Sequence, residues 1–284
     1  MTPEARPRWL FTGGSGRVGR MVLRAWQQRP PPADLLIQTR HRPGLVWSPL
    51  TEPLPDTGPL DCVIAFAGIT PATGSDLSLN TDLAQATLAA AQAAGARRVL
   101  LTSSSAVYGA PPDASPLSEA SPLRPVNAYG AAKVDMEAAC QPWRDRGLEV
   151  CCLRIGNVAG ADALLLNGPK ASAETPIRID RFADGGGPIR SYLGPATLAA
   201  VVQSLACTSA PLPDQINIAA PGPIGMDQLA DAAGLPWVWS PAPTGAHQRI
   251  TLTTDLIAGL HSFAPTDSNP AEMVRQWTAT RDPA

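Results

Sequence analysis

Lysine is almost missing from this chain: Lys133 and Lys170 stand against twenty arginines in 284 residues. Phenylalanine and tyrosine are scarce as well, with four and three copies. The formal charge is only −2, and no basic run is interleaved with aromatics, so the electrostatic footprint of a nucleic-acid-binding protein is absent. No stretch approaches the roughly 18 uncharged apolar residues that a membrane-spanning helix needs. The three histidines, His41, His247 and His261, are isolated and form no H-E-x-x-H pattern, so no catalytic metal is expected. Five cysteines lack any C-x-x-C spacing and sit mostly among apolar residues, which reads as reduced core thiols. The chain reaches "RWLFTGG" too soon to hold a secretory leader, and a cytoplasmic location is expected.

Proline, by contrast, is abundant at 31 residues. It crowds segments such as "RPPPAD" and "APPDASPLSEASPLRP", which read as stiffened connections. Between them, short apolar runs alternate with longer helical patterns. "RWLFTG", "LLIQTR", "LVWSP", "DCVIAFAG", "RRVLLTSSS" and "EVCCLRIGNV" read as strands. Residues 17–28, the alanine-rich "LNTDLAQATLAAAQAAGA" and residues 128–146 read as helices. Continuous apolar strands between helices predict an α/β fold with a doubly wound parallel sheet covered on both faces. Residues 8–160 form this domain. Beyond Gly160 the pattern weakens, and residues 161–284 are expected to form a smaller, interleaved substrate-binding region. Its helix "TLAAVVQSLACT" is expected to pack on the main sheet, and "QINIA" reads as a strand. The last 70 residues carry no legible motif.

Within "LFTGGSGRVGRMV", Gly13, Gly16 and Gly19 stand between the first strand and the first helix. In such a turn the first glycine makes the tight bend, the second lets backbone approach a pyrophosphate, and the third lets helix and strand pack closely. Helix amides and dipole then hold the phosphates. The second strand ends in "QTRH", with Arg40 where an NAD site usually has a carboxylate, and Arg17 follows Gly16. Two converging guanidiniums favour a ribose 2′-phosphate, so NADP is expected over NAD.

"TSSSAVYG" closes the fifth strand, and "PVNAYGAAK" opens the next helix with Tyr129 and Lys133 on one face at i, i+4. A phenol with a pKa near ~10 is a weak base at neutral pH. A neighbouring ammonium and an oxidised nicotinamide both favour its phenolate. A serine at the strand end can orient the reacting hydroxyl or carbonyl.

Together with "LNTDLA", "LRIGNVAG" and "GGGPIRSYLGPATLA", these segments resemble the extended short-chain dehydrogenase/reductases, the NAD-dependent epimerase/dehydratase family, over about residues 8–205. The resemblance implies a Rossmann-type fold, with Ser104, Tyr129 and Lys133 as the catalytic triad. It extends the cofactor-binding set to Gly13, Gly16, Arg17, Val18, Gly19, Arg40, Ala67, Gly68 and Lys133. Asn157 and Arg190 join Ser104 as substrate-binding residues, Arg190 as a ligand for a substrate diphosphate. Family dehydratases often carry an Asp-Glu pair after the serine; Ser105 and Ala106 stand here instead, which argues against dehydration. The expectation is an NADP-dependent epimerase or reductase of a sugar-like, nucleotide-linked alcohol or ketone. A reductase of another carbonyl substrate and a non-catalytic NADP-sensing regulator are the alternatives. Alanine-rich helices near residues 80–94 and 128–146 point to a homodimer.

Overall fold

The computed structural model describes residues 6–40 and 43–282; His41 lies outside them. Six strands of the first half are β1 (Arg8–Thr12), β2 (Asp34–Thr39), β3 (Leu45–Val46), β4 (Cys62–Ala65), β5 (Arg98–Ser104) and β6 (Glu149–Ile155). With the later strand Gln215–Ile218 they form one seven-stranded sheet in the order Gln215–Ile218, β6, β5, β4, β1, β2, β3. Every pairing is parallel. The chain winds outward from β1 to β3, then returns to start β4 on the other side of β1. That reversal opens a crevice at the carboxyl ends of β1 and β4.

Strand alternation explains why the strands are apolar throughout. Trp9, Phe11, Cys62, Ile64, Leu100, Cys151 and Leu153 point to one buried face. Leu10, Val63, Ala65, Val99, Leu101, Val150 and Cys152 point to the other. A fully buried side chain of the larger kind contributes about 1.5–3 kcal/mol, so neither face tolerates a polar stripe. The first face is covered by α1 (Arg17–Gln28) and the helices Pro195–Cys207 and Pro270–Thr280. The second is covered by α2 (Leu79–Ala93) and α3 (Ala128–Ala138).

Two local outcomes differ from the sequence pattern. The helix read over 128–146 stops at Ala138 and resumes as the short helix Gln141–Arg144. Pro142 has no N–H to give to the Ala138 carbonyl, and its ring crowds that carbonyl. The end of the chain, unreadable as sequence, supplies the helix Pro270–Thr280. Its Gln276 Oε1 accepts the amides of Ala196 and Thr197 at 3.1 and 3.0 Å, capping Pro195–Cys207. Its Trp277 packs over Gly160, where φ is +88° and a Cβ would overlap the indole. At the other end of Pro195–Cys207, the fully buried Arg98 donates to the carbonyls of Leu205, Thr208 and Ala210 and pairs with Glu149 at 2.5 Å. A cation there complements the negative end of the helix dipole.

Candidate active site

The glycine turn makes the tight bend and the close helix–strand packing that its spacing implies. Gly13 has φ +76°, and a Cβ there would overlap the backbone of Phe66 and Ala67 at the end of β4. A Cβ on Gly19 would overlap the Gly13 carbonyl oxygen, so only glycine lets α1 start this close to β1. Gly16 caps α1 in extended conformation without any side-chain cap. The first amides of the helix therefore keep unmet donors at its positive end. Gln38, buried on β2, steadies the loop by accepting the Gly13 amide at 3.3 Å while donating to the Trp47 carbonyl at 2.7 Å.

That helix end opens onto a crevice of about 460 Å³. Gly16, Arg17, Val18 and Gly19 line one end, Gly68, Ile69 and Thr70 a side, and Ser104, Tyr129, Lys133 and Asn157 the far end. Gly13 and Ala67 lie beneath the loop rather than in the lining. The wall at Gly68 and Ile69 is held by buried Asn80 of α2, which accepts from the Ile69 amide at 3.1 Å and donates to its carbonyl at 3.0 Å. Uncapped amides at one end and a Tyr–Lys pair at the other fit a dinucleotide with its phosphates on α1.

Ser104 and Tyr129 meet because of a glycine and a cap. Asn127 Oδ1 accepts the Gly130 amide at 2.8 Å and starts α3 one residue before Tyr129. Gly130 lies against the Ala106 carbonyl so closely that a Cβ would overlap it. Ser104 ends β5 and accepts the Ala106 amide at 3.1 Å, facing the tyrosine. Burial pushes the Tyr129 phenol up, and a hydrogen bond with Ser104 offsets part of that rise. Lys133 is 3% exposed; its Nζ donates to the Thr102 carbonyl at 3.0 Å and lies 5.9 Å from the Tyr129 ring centre. Burial brings its ammonium down to about 8, against the opposing pull of Glu137. Without cofactor, then, the phenol is raised rather than lowered. The lysine keeps its charge at neutral pH and loses it as pH rises through about 8.

A second cavity of about 570 Å³ shares Ser104, Gly156 and Asn157 with the crevice. Its polar wall carries Asn127, Arg190, Ser191 and His247; its apolar wall carries Ala106, Ala110, Val126, Ile250 and Leu252. None of its lining residues is acidic. Arg190 is present, but its guanidinium also ties down the chain around it, donating to the carbonyls of Ile189 and Gln248 at 2.8 and 2.7 Å and of His247 at 3.1 Å. Sequence reading passed over His247, which this loop brings to the pocket. A separate hollow of about 750 Å³ between residues 47–59 and α2 touches none of these side chains.

Residues 9–193 match the NAD dependent epimerase/dehydratase family. The chain belongs to that family. It is 36% identical over 183 residues to a UDP-glucose 4-epimerase of Azospirillum brasilense, covering 56% of this chain and 51% of the relative. The chain thus matches about half the length of that relative. Among solved structures, a Thermus thermophilus UDP-glucose 4-epimerase with NAD superposes with a TM-score of 0.72 at 19% identity, over 95% of this chain and 99% of the other. A UDP-glucuronic acid 4-epimerase from Bacillus cereus, also with NAD, gives 0.76 at 15% identity, over 96% and 98%.

These findings overturn the expected preference for NADP, since the similar structures hold NAD. The geometry supplies the physical reason. Arg17 lines the crevice, whereas Arg40 is exposed beyond the end of β2 and is not part of the lining. Arginine at that sequence position says little when its side chain points to water. Among the described residues, no helix is long and apolar enough to cross a membrane.

Proposed function

We propose that the chain is an NAD-dependent epimerase acting on a nucleotide-linked sugar, with UDP-glucose and UDP-galactose as the first substrates to try. The observation that carries this is the meeting of the two cavities at Ser104 and Asn157: a dinucleotide on one side and a sugar on the other would touch over Tyr129. The similarity to UDP-glucose 4-epimerases supports the choice of substrate. Gly16, Arg17, Val18 and Gly19 would hold the diphosphate of NAD, and Lys133 its nicotinamide ribose.

When bound, the nicotinamide supplies a hydride acceptor and donor. Tyr129 Oη takes the proton of the reacting hydroxyl and later returns it to the carbonyl oxygen. Ser104 orients that oxygen, and the positive charge of Lys133 lowers the cost of the phenolate. A ketone that turns over in the pocket before its reduction yields the epimer. The acid-free lining, with Arg190 and His247, suits a substrate diphosphate. Ser105 and Ala106 offer no acid to expel water, which favours epimerisation over dehydration.

A homodimer through the alanine-rich helices α2 and α3 belongs to this reading, and a monomer by light scattering at micromolar concentration would remove it. So does a reducing, cytoplasmic setting, which suits the 3.8 Å separation of the Cys140 and Cys152 thiols. The direct test is chromatography of UDP-glucose incubated with protein and catalytic NAD. UDP-galactose without net NADH is the expected product; stoichiometric NADH, or no turnover of any UDP-sugar, would defeat the proposal.

A further inference from the structure

Arg154 is an arginine in the middle of the apolar strand "EVCCLRI", and it is only 3% exposed. A charge so placed requires a partner. It finds Glu137 of α3, itself 4% exposed: Arg154 Nη2 donates to Glu137 Oε2 at 2.7 Å, and Nε reaches both carboxylate oxygens at 3.1 and 3.2 Å. Arg154 Nη1 donates to the Tyr108 hydroxyl at 3.0 Å and the Glu119 carbonyl at 3.1 Å. The Tyr108 hydroxyl passes its own hydrogen to Asn217 Oδ1 at 2.7 Å. On the other side, Ser103 Oγ donates to Glu137 Oε1 at 2.5 Å. Ser103 is the neighbour of Ser104, and Glu137 stands one helical turn beyond Lys133, two beyond Tyr129.

A buried ion pair is a poor source of stability, because desolvating two charges offsets most of their attraction. Its position under the reacting groups suggests another use. We infer that Glu137 is a positioning residue, clamped between Arg154 and Ser103, that fixes α3 against β5 and carries a buried negative charge one helical turn from the Lys133 ammonium. The inference rests on the role given above to Lys133.

The charged and titratable groups around that ammonium are few. Tyr129, Asp135 and Glu137 share its helix, Cys140 follows the helix, Cys152 and Arg154 come from β6, and Asp162 lines the same crevice. Of the carboxylates, Glu137 is the one that acts on the ammonium. An ionised Cys152 would favour the ammonium more than Glu137 does, but its contact with Cys140 and its burial push that thiol well above the ordinary range, which leaves Glu137 as the anion that acts on Lys133. The Lys133 contacts with Thr102 and Met136 are uncharged and cannot replace it.

The scarcity of lysine makes the test direct. In full-length protein carrying Lys170→Arg and lysine labelled with carbon-13 at Cε, the single remaining signal reports Lys133. Its titration midpoint is expected near 8. The double variant Glu137→Gln/Arg154→Met removes both buried charges together, leaving neither unpaired. It is expected to lower the midpoint by about half a unit or more. Its kcat at pH 8 should fall about twofold or more and recover at lower pH, with KM little changed. If the double variant does not fold, Glu137→Gln alone carries the same expectation, with a larger shift because Arg154 stays charged. A midpoint that matches the parent protein would overturn the inference. Turnover undiminished in Lys133→Met would instead defeat the catalytic reading of Lys133, and that result is independent of the titration.

Discussion

Replacing Tyr129 with phenylalanine is expected to lower kcat for sugar-nucleotide conversion by about 10²–10⁴-fold, the usual contribution of a positioned acid–base group. NAD binding should change by less than about threefold, because the ring stays and only one hydroxyl leaves the crevice wall. The separation of the two effects is the point of the experiment. Tyr129 is held by the Asn127 cap and the glycine contact at Ala106, so loss of the oxygen leaves α3 where it was. Ser104 still accepts the Ala106 amide and keeps its place. Stopped assays of turnover, together with calorimetric titration of NAD, measure both halves. A variant with full turnover would remove Tyr129 from the chemistry.

Gly19→Val should produce the opposite pattern, a failure of binding that precedes any chemistry. Its Cβ would fall on the Gly13 carbonyl oxygen, which is backbone and cannot swing aside. Either the turn opens or α1 backs away from β1, and both displace the uncapped amides proposed to receive the phosphates. Weakening of NAD by about 100-fold is expected, roughly 2.7 kcal/mol, with a loss of about 1–3 kcal/mol in stability from overpacking. Gly16→Ala is the natural comparison. A Cβ there would lie 3.2 Å from the same oxygen, close enough for a small adjustment to relieve. Its effect should be several-fold smaller, and equal losses in the two variants would show that the glycines are not distinguished by packing.

The contrast between these glycines reflects how legible each part of the molecule was. The spacing of Gly13, Gly16 and Gly19 was readable because the constraint is local: a strand, a turn and a helix within some 20 residues. So were the apolar strands, whose two buried faces leave no room for polar residues, and the Tyr129–Lys133 pair, which one helical turn suffices to align. Features that depend on distant partners were not readable. Pro270–Thr280 carries only a modest apolar face, and nothing local announces that Gln276 caps a helix some 80 residues earlier. Arg40 misled for the same reason in reverse, since its position along the chain suggested a place in the cofactor crevice, whose lining it does not join.

Glu137 and Arg154 lie between these cases. An arginine inside "CCLRI" already violates the apolar rule of its strand, and a glutamate continues the four-residue spacing of Tyr129 and Lys133. Taken together they announce a buried pair, though neither strand nor helix alone shows where the partner lies. Their network also reaches Asn217 beyond β6 through Tyr108, which ties α3 to the edge of the sheet.

A crystal structure of the protein grown with NAD and UDP would decide the central claim. The account requires the NAD diphosphate on the first amides of α1, the nicotinamide beside Tyr129 and Ser104, and UDP in the neighbouring cavity with its phosphates toward Arg190. A dinucleotide bound anywhere else, or a nicotinamide that stays out of reach of Tyr129 with both ligands present, would contradict it.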